Sequence, residues 1–180
     1  MRTTRRPFVI LLFLIAEMIF AKTSFAQSAG VGYVFGGPLW FRDVAYPSLA
    51  WSVGGGGEHV SGATGVGGDV EVVHLPAVVY RSKSAEYSWP STNRLFASGN
   101  GYRPFSKSAG NRLGVRPFLT GGGGLSFARG GAVTLNGGGG IDWWADRRTG
   151  IRLEVRDQIV AYPYGVFQLS LAARVGIIFR

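Results

Sequence analysis

Apolar and polar residues alternate through most of the chain after Gln27, and the alternation is cleanest at the C-terminal end. Phe167, Leu169, Leu171, Ala173, Val175, Ile177 and Phe179 occupy every second position. Between them lie Gln168, Ser170, Ala172, Arg174, Gly176 and Ile178. A period of two marks a β-strand with one apolar face. The segment before it repeats the rule with charges, Ile151, Leu153 and Val155 alternating with Arg152, Glu154 and Arg156 after a polar turn over 145–150. Two further strands are predicted over 116–127 and 132–144, joined by residues 128–131. Another pair, 49–58 and 66–75, is joined through 61–65. A first strand covers 30–36 and one more lies within 83–106, where the pattern is weak. The total is eight. No stretch beyond Gln27 holds a helical period or the run of about 20 apolar residues that a membrane-spanning helix needs.

Even-numbered and antiparallel, these strands predict an all-β, up-and-down barrel, and the polar face decides its surroundings. That face carries Glu58, Asp69, Glu71, Asp142, Arg152, Glu154, Arg156 and Arg174 among small residues. An arginine facing lipid costs roughly 2–4 kcal/mol. Arg152, Arg156 and Arg174 all facing outward would cost about 6–12 kcal/mol, the stability of a whole domain. In a membrane barrel they must therefore point inward, and Glu71, Asp142, Arg152, Glu154, Arg156 and Arg174 form a predicted ion-pair network in a narrow lumen. The aromatic residues agree. Phe35, Trp51, Phe127 and Phe167 fall near one end of their strands, and Trp143 and Phe179 near the other, as two girdles at the interfaces of a bilayer would. The opposite parity would make a soluble periplasmic barrel with an apolar interior for a hydrophobic ligand.

Composition refines this picture at the N-terminus. Residues 1–26 read as a secretory signal peptide: Arg2, Arg5 and Arg6, the apolar run 8–16, then Ser24-Phe25-Ala26 before a cleavage at Gln27. Removing them lowers the formal charge from +9 to (19 − 4) − (10 − 1) = +6. Only Lys83 and Lys107 remain as lysines, so little of the surface is built as a solvated face. There are no cysteines, and His59 and His74 are too few for a histidine-rich metal centre. Runs of four glycines at 54–57, 121–124 and 137–140 lie inside strands. None is followed by Gly-Lys-Ser/Thr, which removes a phosphate-cradling loop. They suit the curvature and close approaches of a narrow barrel. No cofactor and no nucleic acid are expected.

With those residues in view, the chain resembles the small outer-membrane β-barrel families, the eight-stranded class that includes the OmpA transmembrane domain. The resemblance rests mainly on 116–180: Arg116-Pro117-Phe118-Leu119-Thr120 before a glycine run, Gly140-Ile141-Asp142-Trp143-Trp144, the stretch 150–157, and 174–179. It implies a domain over 27–180 in the outer membrane of a Gram-negative cell. It also implies a monomer in contact with outer-membrane lipid and lipopolysaccharide, inserted by the barrel-assembly machinery. A terminal Phe commonly serves as that machinery's signal; here Arg180 follows Phe179. Arg42, Arg81, Lys83 and Arg129 are loop residues suited to lipopolysaccharide phosphates. The expected role is structural or surface interaction, neither enzymatic nor that of a general porin. An alternative is a lipid A-modifying hydrolase, because His59-Val60-Ser61 with Glu71 resembles the His-x-Ser plus Glu arrangement of lipid A deacylase barrels. By parity, however, His59 and Glu71 belong on opposite faces.

Overall fold

The computed structural model describes residues 30–42, 48–61, 64–81, 86–105, 114–127, 131–163 and 165–180. The signal peptide reading, Lys83 and Arg129 fall outside them. Ten strands follow one another: β1 (Gly30–Phe41), β2 (Ser48–Ser61), β3 (Thr64–Leu75), β4 (Val78–Arg81), β5 (Glu86–Trp89), β6 (Thr92–Pro104), β7 (Gly114–Phe127), β8 (Ala132–Trp144), β9 (Thr149–Ala161) and β10 (Phe167–Phe179). Eight of them close into one antiparallel barrel in the order β1-β10-β9-β8-β7-β6-β3-β2, while β4 and β5 pair as a separate hairpin. The expected eight-stranded meander is therefore present. The end where β1 begins and β10 finishes is the lower end, and the hairpin lies at the upper.

The register fixes the barrel's shape. Partner to partner, one circuit runs Trp40, Leu171, Asp157, Gly137, Gly121, Gly101, Val66, His59 and back to β1 at Gly30. The circuit returns ten residues lower (40 − 30 = 10), a stagger that tilts the strands by about 40° to the barrel axis. Each step of that row descends by roughly 3 Å, the strand spacing multiplied by the sine of the tilt.

The strand boundaries differ most from the sequence reading in two places. The first strand runs on to Phe41, past Gly37-Pro38, which reads as a stop. Proline lacks the N–H that a ladder uses. The β1–β10 pairing accordingly skips from Gly36–Val175 to Leu39–Ala172, while the β1–β2 pairing continues unbroken. The weak region 83–106 holds β5, which pairs with β4 just before the window, and the long barrel strand β6, so a short hairpin strand and a barrel strand share one stretch of sequence.

Burial follows parity. In β9 every even position from Gly150 to Val160 is buried and every odd one from Thr149 to Ile159 exposed. The outward face carries Trp51, Val133, Leu135, Leu153, Val155, Val175 and Ile177. The lumen has no room for an ordinary apolar core, so its apolar residues form two clusters. Leu39, Phe41, Ala50, Val73, Phe96, Ala132, Val160 and Ala172 fill the upper end. Val31, Tyr33, Phe35, Trp144 and Ile178 occupy the lower part.

Candidate functional site: the lumen charge network

Charged side chains placed on inward positions of six strands meet in the lumen as two groups. In the lower group, Asp142 on β8 accepts hydrogen bonds from Arg116 Nε at 3.0 Å and from Arg152 Nε at 2.7 Å. Glu58 on β2 divides its oxygens between the same two arginines, Oε1 to Arg116 Nη2 at 2.8 Å and Oε2 to Arg152 Nη2 at 3.0 Å. Two carboxylates and two guanidiniums close a ring in which each carboxylate serves both cations. The Arg152 guanidinium lies between the rings of Tyr33 and Phe118, 4.7 and 4.6 Å from their centroids. A cation held face-on by aromatic rings on opposite walls is favourable where water is excluded. Tyr33 and Tyr102 bond hydroxyl to hydroxyl at 2.8 Å beside it.

In the upper group, Arg156 Nη1 meets Asp69 Oδ2 at 2.8 Å and Arg156 Nε meets Glu154 Oε1 at 2.5 Å. Asp69 also accepts from Asn100 Nδ2 at 2.8 Å. Arg174 pairs with Glu71 and stacks 4.4 Å from the Phe35 ring centroid. Its Nη1 lies 3.7 Å from Glu154 Oε1, which ties Glu71 to the rest of the group.

The barrel order gives these bonds their mechanical sense. From β2, which carries Glu58, to β9, which carries Arg152, is three strands one way and five the other, and from β3 to β9 is four in either direction. Glu58–Arg152 and Asp69–Arg156 are therefore near-diametric struts. Asp142 is wholly buried and Arg152 and Arg156 are each 2% exposed. A buried ion pair is costly to desolvate, and that cost is met only when several bonds satisfy each group. The ring and its aromatic walls meet that condition except at Arg152 Nη1, which has no hydrogen-bond partner among the described residues.

All six residues expected in the network lie in it. Sequence reasoning left out four that complete it. Glu58 and Asp69 lie on the recognised polar face but were not assigned partners. Arg116 stood at an assumed strand start, and β7 in fact begins at Gly114, which turns Arg116 inward. Asn100 lies in the weakly patterned β6. The alternation Arg116, Phe118, Thr120 was the available signal for Arg116.

Trp51, Phe127, Trp143 and Phe167 face outward and are exposed, the first, second and fourth at upper strand ends and Trp143 at a lower one. Phe179 ends β10 at the lower rim, its ring over Gly32. Phe35 does not join the girdle. It is 6% exposed and faces the lumen. Both faces of β1 are apolar, so its parity is set by what it meets across the barrel wall. A Cβ at Gly54 would lie 2.6 Å from Phe35 Cζ, and one at Gly56 2.7 Å from the Tyr33 hydroxyl. Those glycines make the room that draws Tyr33 and Phe35 inward. Trp40, outward at the upper end of β1, takes the place assigned to Phe35.

Of the His59, Ser61 and Glu71 set, His59 and Glu71 are not brought together, and the Ser61 side chain falls outside the described ones. His59 is exposed on the outward face of β2, whereas Glu71 is 1% exposed in the lumen and bound to Arg174. Among the described residues no cluster of His, Asp and Glu is arranged to hold a metal ion.

No protein-family model matches the chain, and no curated protein matches it. Solved structures do. Neisserial surface protein A superposes with a TM-score of 0.65 at 10% identity, covering 84% of this chain and 97% of that one. The outer membrane enzyme PagL superposes with a TM-score of 0.54 at 10% identity, covering 82% and 97%. The fold is thus that of the small eight-stranded outer-membrane barrels. A surface protein and an enzyme share it, so the fold by itself does not choose a role.

Proposed function

We propose that the protein is an outer-membrane β-barrel with a structural or surface-interaction role, non-enzymatic, whose lumen is a solid polar core and not a solute path. The observation that carries this reading is the inversion of polarity across the wall: ion pairs inside, aliphatic residues outside. Val133 to Trp143 on the outer face of β8 spans ten residues (143 − 133). At about 3.3 Å per residue and a tilt near 40° that rises roughly 25 Å, the height of the apolar band of an outer-membrane barrel. Trp40, Trp51, Phe127 and Phe167 then mark the outer interface and Trp143 and Phe179 the periplasmic one.

In this reading Arg42 is among the residues facing lipopolysaccharide phosphates, and the barrel-assembly machinery reads the last strand. The Arg180 guanidinium lies 3.8 Å from the Trp144 ring centroid, and its backbone N–H donates to Arg148 O at 2.9 Å. The residue after Phe179 is thus folded back onto the lower rim, leaving the Phe179 ring on the outer wall. Membrane fractionation with a heat-modifiability gel and intact-mass analysis tests the proposal. The expected result is an outer-membrane species that shifts on boiling, with a mass beginning at Gln27. A soluble periplasmic protein would overturn it. Unchanged lipid A, by mass spectrometry with and without expression, is expected of the non-enzymatic role.

A further inference from the structure

Between the two aromatic rows, the outward-facing positions of the described strands are apolar or small, with one exception. Asp157 lies on the outer face of β9 and is exposed there. The other ionisable outward residues sit at the rows themselves: His74 pairs with Trp51 at the upper end of β3, and His59 and Arg103 lie at the lower ends of β2 and β6. Asp157 is two strands round from Trp40 in the pairing row, through Leu171, and hence about 6 Å below it. The carboxylate forms no ion pair among the described residues. Its one bond is from the Gln158 backbone N–H at 3.2 Å.

Its surroundings are also unusual. On the β8 side Asp157 faces Gly137, where an added Cβ would meet nothing within 4 Å. Gly137 adjoins Gly121, and Gly121 adjoins Gly101. Inward glycines such as Gly54 are required by close packing; of these outward ones Gly137 has open space, and Gly121 and Gly101 meet only ordinary backbone contacts at 3.6 and 3.7 Å. The result is a shallow depression in the wall, floored by backbone, with a carboxylate at its upper edge. A lone charge in the apolar band is costly unless the surrounding medium supplies donors.

We propose that Asp157 and this depression form a seat for one outer-leaflet lipid, the lipid A part of lipopolysaccharide. Lipid A carries amide N–H groups and acyl-chain hydroxyls just beneath its phosphorylated sugars, at the depth of Asp157. Those donors bond the carboxylate, and an acyl chain lies against Gly137 and Gly121. The phosphates stay above the Trp40 row, away from the carboxylate. The inference rests on the outer-membrane location proposed above.

The test compares native protein, Asp157→Leu and Gly137→Leu by urea unfolding in three kinds of vesicle: phosphatidylcholine alone, with added phosphatidylethanolamine, and with added lipid A. In phosphatidylcholine, Asp157→Leu removes an unserved charge and raises the unfolding midpoint above native. With lipid A the order reverses, and Gly137→Leu, which retains the carboxylate but fills the depression, also falls below native. Native mass spectrometry reads the same effect as a several-fold loss of retained lipid A in both variants. Equal stabilisation by Asp157→Leu in all three vesicles overturns the lipid seat while leaving the membrane location standing. Reversal with phosphatidylethanolamine as strong as with lipid A assigns the carboxylate to an ammonium headgroup and also overturns it. Failure of native protein to fold in any vesicle overturns the location and the seat together.

Discussion

Asp142 accepts from Arg116 and Arg152 at once while wholly buried, so it is the residue whose loss leaves the most charge unpaired. Replacing it with Ala strands two guanidiniums with Glu58 as their shared anion. Removing one partner from a buried pair costs about 3–5 kcal/mol. Asp142→Ala is expected to reach that range in urea unfolding from phosphatidylcholine vesicles, and Glu154→Ala to cost less. Arg156 keeps Asp69 and Arg174 keeps Glu71 when Glu154 is lost. Equal, negligible losses would mean that lumen water replaces the carboxylates freely. The inward placement of Arg152, Glu154, Arg156 and Arg174 was legible because their strands alternate without interruption. The neighbouring carboxylates Asp142 and Glu154 lie beside Arg152 and Arg174 in the strand register, but Glu58, Asp69 and Glu71 come from β2 and β3, across the lumen, and such pairing leaves no trace in a linear pattern. Phe35 was misplaced for a related reason, its orientation being decided by glycines on neighbouring strands.

At the scale of elements, β9 and its entry turn carry the clearest expectations. Leu153→Arg puts a guanidinium on the outer wall, which in the proposed outer-membrane location faces lipid, at a cost of roughly 2–4 kcal/mol near the midplane. Arg152→Leu leaves the outer wall unchanged and disturbs only the lower ring. The first variant should insert poorly into vesicles and the second should insert but unfold more readily. The reverse order would mean that the faces are inverted. The turn from β8 to β9 is held by Asp146, whose carboxylate accepts from the backbone N–H groups of Arg148 at 2.6 Å and Thr149 at 2.7 Å. Those bonds, Arg148's foremost, hold its carboxyl below the ordinary carboxylate value. A depressed folded value means that the stabilisation is present above the unfolded pKa and is lost as pH falls through the lower folded one. Asp146→Ala should therefore unfold earlier than native at neutral pH, with the gap closing only below the ordinary carboxylate range of about 3.9. A gap that persists unchanged into strong acid would refute this role. The turn itself was readable from its polar run, whereas the passage of β1 beyond Pro38 was not, because a proline whose missing N–H falls on one side of a strand leaves the other ladder intact.

For the whole molecule, the stagger of ten residues on eight strands sets a lumen that side chains can fill, and three barriers then lie in series along it. Phe41 and Phe96 belong to the apolar cluster at the upper end, the Asp69–Arg156 strut crosses the middle, and the Glu58–Arg116–Asp142–Arg152 ring crosses below. Conduction through barriers in series is limited by the tightest one, so opening any single layer should leave ions blocked. Native protein is expected to give no large, stable conductance in planar bilayers. Phe41→Ala with Phe96→Ala should behave the same, since both struts remain. Arg152→Ala with Arg156→Ala should also stay closed, because the upper cluster is intact. Only the combined fourfold variant removes an obstruction at each level, and it alone should conduct steadily, provided heat-modifiability shows that it still folds. Porin-like conductance from native protein would defeat the solid-lumen reading outright. Conductance from the double arginine variant alone would place the whole barrier in the ion pairs and remove the upper cluster from the account.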